Sequence, residues 1–137
     1  MAALSQNSAL VALGGADAVI EKVQAGEAMV AGNWYYLKTS DNKMWKADAD
    51  AAASALVRGM VHSPAVAADG YFVGQKGGPA IVGGTLTVGK PYHAHTTGGA
   101  MGEISELASG DFPTSLGFAR TAAILDIDIS VATTALA

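Results

Sequence analysis

The chain has 137 residues, half of them apolar and only 15% charged, with a net charge of −4. That length fits one domain, and area scaling gives roughly 6,600 Å² of folded surface against about 20,000 Å² unfolded, enough burial for one core without staples. With no cysteine there is no disulfide framework and no thiolate metal site, as expected of a protein made in a reducing cytosol.

The six Lys and two Arg are scattered, which speaks against nucleic-acid binding, where a basic stripe is needed. Residues 1–13 lack a basic n-region and a long apolar run, so no signal peptide is expected. No stretch approaches the roughly 20 apolar residues of a membrane span.

Residues 1–15 are apolar but small, and read as an N-terminal arm laid on a neighbour or as a first strand; 16–137 read as a single β domain. Segment 16–24 (ADAVIEKVQ) reads as a strand, because under three turns it is too short for a stable isolated helix. Trp34, Tyr35, Tyr36 and Leu37 form the β-rich end of the next segment. A polar turn at 39–43 and the return Met44-Trp45-Lys46 complete a hairpin. Segment 48–55 (DADAAASA) has high helix propensity, with Asp48 or Asp50 as N-cap, and predicts one short helix. Segment 56–62 reads as a strand. Segment 68–92 reads as three strands, 71–73, 80–82 and 85–88, separated by turns at Gly77-Gly78-Pro79 and Gly83-Gly84. In the last of these, Leu86, Val88, Tyr92 and Ala94 should share the buried face, with Thr85, Thr87, His93 and His95 opposite. Residues 113–119 form a short strand around Leu116 and Phe118. Segment 122–131 alternates most clearly: Leu125, Ile127, Ile129 and Val131 face in, Asp126, Asp128 and Ser130 face out. Turn signals every 8–12 residues predict an all-β fold, a small antiparallel barrel or sandwich of short strands.

Few residues suggest chemistry. His93 and His95 at i, i+2 could supply two metal ligands, but no third lies nearby in sequence, and solvent-facing or interface histidines are the simpler reading. Asp126 and Asp128 share a strand face, where an outer charged face and edge protection account for them without catalysis. Glu103 and Glu106 lie in a Gly- and Ser-rich loop with no nucleophile motif. The run from Gly83 to Lys90 lacks the Ser/Thr of a phosphate loop and meets Pro91. No cofactor, metal site or enzymatic activity is predicted. Trp34, Tyr35, Tyr36 and Trp45 are four of nine aromatics gathered in one hairpin. They read as core, as a subunit interface, or as a carbohydrate platform using Trp34, Tyr36 and Trp45.

Several short runs occur in a set order: AMVAGNWYYL at 28–37, DNKMWKADAD at 41–50, ALVRGM at 55–60 and AADGYFV ending at Val73. GGTLTVGKPY follows at 83–92, then 97–102, LASGDFPT at 107–114 and LGFA at 116–119. This ordered set resembles the capsid decoration (cement) proteins of tailed bacteriophages and the related head-fibre base domains. The resemblance spans roughly residues 25–131. It implies an all-β, non-enzymatic homotrimer that is made in the host cytoplasm and sits on the outer capsid surface. Its partners would be the major capsid protein and its own copies, with no nucleic acid and no membrane. On this reading the capsid- or subunit-interface candidates are Leu4, Leu10, Val11 and Leu13 in the N-terminal segment, and Trp34, Tyr35, Tyr36 and Trp45 in the hairpin. The alternative from another class is a carbohydrate-binding or host-attachment β module displayed on the virion.

Overall fold

The computed structural model describes residues 3–137. Its strands, in chain order, are β1 (Ala12–Leu13), β2 (Val19–Gln24), β3 (Met29–Val30), β4 (Trp34–Lys38), β5 (Lys43–Lys46) and β6 (Val57–Val61). They continue with β7 (Ala65–Val66), β8 (Tyr71–Ile81), β9 (Pro91–Ala94), β10 (Met101–Gly102), β11 (Ser115–Ala119) and β12 (Ile124–Ser130). Apart from β3 and β7, which pair with each other, all belong to one antiparallel sheet of order β10-β9-β11-β12-β8-β6-β4-β5, with β1 and β2 added to β8. The sheet curls into a half-barrel, so the fold is all-β.

β8 organises this sheet. Gly74 and Gln75 pair on both sides, with β2 and β6; Ala80 and Ile81 pair on both sides, with β1 and β12. The expected turn at Gly77-Gly78-Pro79 is therefore absent, and 71–73 and 80–82 are not separate hairpin strands. Gly78 has φ +81°, and a Cβ there would collide with the Asp17 carbonyl. Glycine here lets one eleven-residue strand kink and change partners rather than reverse.

Successive residues of β4 enter two cores on opposite sides of the sheet. Trp34 packs with Val57, Met60, Ala80, Val82, Tyr92, Met101, Leu116, Leu125 and Ile127. Tyr35 packs with Ala25, Met29, Met44, Val61, Val66 and Phe72, its ring edge-on to Phe72 with centroids 5.0 Å apart. The period-2 alternation of a strand distributes neighbouring aromatics in this way.

Three further expectations are corrected. Segment 48–55 forms turns and no α-helix. The Asp48 carboxylate accepts from Asp50 N–H at 3.2 Å and from Ser54 Oγ at 2.9 Å, local bonds that compete with a helical ladder. The helical pieces are single 3-10 turns at Ser8–Leu10 and Ile104–Glu106. Segment 85–88 is a loop between Gly83 (φ +80°) and Gly89 (φ +82°), pinned by Leu86 N–H to the Ala122 carbonyl and by Thr87 N–H to Tyr92 Oη. Leu86 is buried but Val88 is exposed, so the predicted alternation fails there. His93 and His95 are buried rather than solvent-facing. β9 lies between β10 and β11, and His93 stands opposite Gly102 on one side and Ser115 on the other, so it sits inside the sheet rather than at its edge.

Candidate functional site

The N-terminal segment is bound along its own domain. Leu4 N–H donates to the Met101 carbonyl and Asn7 N–H to the Gly83 carbonyl, while Gln6 Nε2 donates to the carbonyls of Gly32 and Val82. Leu4 and Val11 pack against the larger core. The expectation of an arm reaching a neighbour is thus replaced by a segment that covers its own protomer and ends in a first strand, β1. Leu10 and Leu13 face outward, 60% and 49% exposed, and Val19 and Ile20 follow at 52% and 54%. All four lie on the segment that runs into and along β1 and β2 at the edge of the sheet.

Behind that edge lies a charged latch. Glu21, with a side chain only 12% exposed, accepts from Arg58 Nε at 2.8 Å and Nη2 at 2.8 Å, and from Tyr35 Oη at 2.8 Å. Lys76 Nζ stands 3.9 Å away. Room for Tyr35 comes from Gly59 and Gly74, since a Cβ at Gly74 would collide with its hydroxyl. Burial raises the Glu21 pKa, but the bonds from Arg58 and Tyr35 outweigh it, and the carboxyl is held below its ordinary range. Burial and the adjacent carboxylate push the Tyr35 phenol well up. The latch ties β2, β4, β6 and β8 together. Sequence reasoning missed it because Tyr35, Arg58 and Lys76 lie 14, 37 and 55 residues beyond Glu21. The one available signal was Glu21, the only carboxylate in β2, between Ile20 and Lys22.

The aromatic hairpin does not present its four rings together. Trp34 and Tyr35 are fully buried in the two cores of their own protomer, so as interface residues they are corrected: neither offers surface to a partner. The three-ring carbohydrate platform consequently loses Trp34. Tyr36 and Trp45 are half-buried and stand opposite each other in the β4–β5 register. Lys38 Nζ covers the Trp45 ring at 4.2 Å, and Trp45 Nε1 donates to Asp41 at 3.0 Å.

The histidines and acids are dispersed. His93 Nδ1, His95 Nε2 and Trp34 Nε1 are buried without a hydrogen-bond partner among the described residues. Among the described residues no group of three His, Asp or Glu converges. Asp126 pairs with Arg120 at 2.7 Å and Asp128 is exposed. Glu103 pairs with Lys90 at 3.0 Å, and Glu106 Oε1 accepts from Glu103 N–H at 2.9 Å. These acids border a shallow cleft of about 360 Å³ with Thr85, Thr87, Ser105 and Tyr92. Among the described residues no nucleophile–base hydrogen bond is formed in it. Among the described residues no helix is long and apolar enough to cross a membrane.

No family model, curated protein or solved structure matches this chain. The surface geometry must therefore carry the functional reading, and its most distinctive element is the β1–β2 edge. Edge strands in stable monomers are commonly shortened, bulged or studded with charge and proline. β2 carries two of these devices, a register shift between Val19 and Ile20 and the exposed Lys22, and just past its end Ala25 bridges Met44 of β5; the exposed aliphatics Val19 and Ile20 nevertheless remain on it.

Proposed function

We propose that this chain is a structural virion protein, a capsid decoration (cement) protein. It binds the outer surface of a tailed-phage head as a homotrimer at coat-subunit junctions and stabilises the shell. One observation carries the reading: Leu10, Leu13, Val19 and Ile20 lie exposed along one strand edge of a charge-poor β domain. Exposed apolar side chains collected on one edge favour an interaction surface over free surface. One further feature supports it: the ordered runs from 28 to 119 resemble those of the decoration proteins. A three-fold contact is heterologous, joining two unlike surfaces of the protomer, and a charge-poor exterior suits such burial.

The test is mass analysis of purified virions together with co-sedimentation of the full chain with heads lacking it. Stoichiometric recovery with heads, and heads that withstand higher temperature once decorated, are the expected results. Recovery only in the soluble fraction, with no change in head stability, would overturn the reading.

A further inference from the structure

Strand β11 carries a bulge that turns an aromatic ring to solvent. Leu116 is buried in the larger core, and unbroken alternation would send Phe118 to the same side. The pairing with both β9 and β12 shifts between Ser115 and Gly117, where Gly117 has φ +147°. A Cβ there would collide with the Asp126 carbonyl, so the shift needs glycine. Beyond it the phase is reversed: Gly117 and Ala119 are buried and Phe118 is 54% exposed. Bulges beside binding sites re-aim side chains in this way.

The ring is turned toward a built surface. Phe118 stands opposite Pro91 on one side and Asp126 on the other, and directly paired residues share a face. Pro91 borders a hollow of about 290 Å³ together with Ile104, Lys90, Glu103 and Ser105. Glu103 and Ser105 also line the cleft of about 360 Å³ already described, so the two hollows adjoin. The first is walled by Pro91 and Ile104, the second by the hydroxyls of Thr85, Thr87, Ser105 and Tyr92 and the carboxylates of Glu103 and Glu106. Tyr92 Oη accepts from Thr87 N–H at 2.8 Å, so its own O–H remains a donor. Two ion pairs border the surface, Arg120–Asp126 at 2.7 Å beside Phe118 and Lys90–Glu103 at 3.0 Å between the hollows.

This lining selects among ligands. An anion would meet Glu103 and Glu106. A metal ion would find Glu103 paired with Lys90 and Glu106 bonded to Glu103 N–H, with no third acid converging among the described residues. A peptide strand has nowhere to pair, because β9 lies between β10 and β11, and β11 between β9 and β12. A pyranose ring matches both halves. Its C–H face is apolar and flat enough to lie on an aromatic ring, while its hydroxyls donate to carboxylates and exchange bonds with other hydroxyls. Concave sites of this kind fix a ligand by apolar contact plus a few placed polar groups.

We propose that this outer face binds neutral pyranose rings of a saccharide, laid on Phe118 and Pro91 and hydrogen-bonded in the hollows at Glu103, Ser105 and Thr87. None of these residues belongs to the Leu10–Ile20 edge, so the site does not rest on the decoration reading.

The probes are maltose, cellobiose, lactose and N,N′-diacetylchitobiose, each added to the full chain up to about 50 mM and followed by NMR, a range that reads millimolar affinity. The expected result is a saturable shift of the Phe118 ring and Ile104 methyl resonances by at least one of them. Phe118→Leu keeps an apolar side chain but loses the flat face, and should bind that sugar about tenfold more weakly with an unchanged melting curve; Phe118→Trp should restore binding. Thr87→Val with Ser105→Ala should also weaken it about tenfold, since two hydroxyls are lost. Mannitol, which has hydroxyls but no ring, and cyclohexanol, which has a ring but one hydroxyl, should leave both resonances in place. No saturable shift by any of the four sugars overturns the site. Equal binding of mannitol or cyclohexanol overturns it as well, because hydroxyls alone or apolar contact alone would then suffice. Undiminished binding to Phe118→Leu removes the stacking face. Shifts centred on Trp45 and Tyr36 instead of Phe118 would move sugar binding to the aromatic hairpin and overturn this assignment.

Discussion

At the scale of single residues, the Glu21–Tyr35–Arg58 latch is the most sensitive polar point. Tyr35 is fully buried and its hydroxyl donates to a carboxylate, so Tyr35→Phe should cost about 1.5–3 kcal/mol, the usual worth of a bond to a charged group. Gly74→Ala should destabilise by about 1–3 kcal/mol for a different reason, because the new methyl competes with the Tyr35 hydroxyl for the same space. Chemical denaturation checks both, and a Gly74→Ala protein as stable as wild type would mean that Tyr35 has another place to go. The histidines set a pH dependence. Burial lowers the pKa of His93, and burial outweighs the bond to Gln75 in lowering that of His62, from an ordinary value of 6.5. The unfolded chain therefore binds these protons first, and stability present above pH 6.5 declines as the pH falls from there through the folded values. His62 has a defined tautomer: Gln75 Nε2 donates to the Gly77 and Pro79 carbonyls, so Gln75 Oε1 accepts and His62 Nε2 carries the proton. Melting temperature measured from pH 7.5 to 5 should fall, and less steeply in a His62→Gln, His93→Gln double variant. The depressed Glu21 carboxyl contributes stability that is lost only below about pH 4.3, a separate and more acid window.

At the scale of elements, β12 is the strand whose facing was most legible. Leu125 and Ile127 are buried, Asp126 lies outside and pairs with Arg120, and Ile129 is partly buried against the larger core. Ile127→Ala should cost about 2–5 kcal/mol. Asp126→Asn should change stability by only about 0.5 kcal/mol, since its partner is exposed. Urea melts of the two variants check the order. The alternation was readable because hydrophobic burial acts on each side chain of a half-buried strand independently. Legibility stopped one residue further on, where Val131 leaves the sheet and is 44% exposed. β8 was illegible for the opposite reason. Its Gly77-Gly78-Pro79 has the local chemistry of a reverse turn, and only the long-range pairings with β1, β2, β6 and β12 hold it extended. The helix expected at 48–55 failed because high alanine content is a weak preference that Asp48 overrides through its bonds to Asp50 and Ser54. In the aromatic hairpin the strands and turn were legible, but the burial of Trp34 and Tyr35 on opposite faces required knowing that both faces are covered. Of the candidate site, the outward residues Leu10 and Leu13 could be named from hydrophobicity alone. Val19 and Ile20 acquire meaning only once β2 is placed at the edge of the sheet, paired with β8 along its length and bridged to β5 at its end.

At the scale of the whole molecule, 6333 Å² of exposed surface is close to what a compact chain of this length presents, so docking must use existing surface. Removing residues 1–13 would not isolate that surface, because Leu4 and Val11 contribute to the core and Gln6 bridges Gly32 to Val82. Substituting the outward residues alone is the cleaner experiment. Leu10→Asp with Leu13→Asp should leave stability within about 0.5 kcal/mol, since both side chains already face water. If the chain decorates a shell as a trimer, its occupancy should respond far more than its fold does. A single protomer contact of about 4 kcal/mol corresponds to millimolar affinity. Three joined contacts become intramolecular after the first, and each added linkage raises avidity by roughly 10²–10⁴. Weakening every protomer contact by about 1.4 kcal/mol is tenfold per contact, hence about a thousandfold for three acting together. Occupancy of heads titrated with the double variant should therefore fall about a thousandfold in apparent affinity, with an unchanged melting curve for the free protein. A tenfold fall would mean that protomers dock singly. No fall at all would remove Leu10 and Leu13 from the contact.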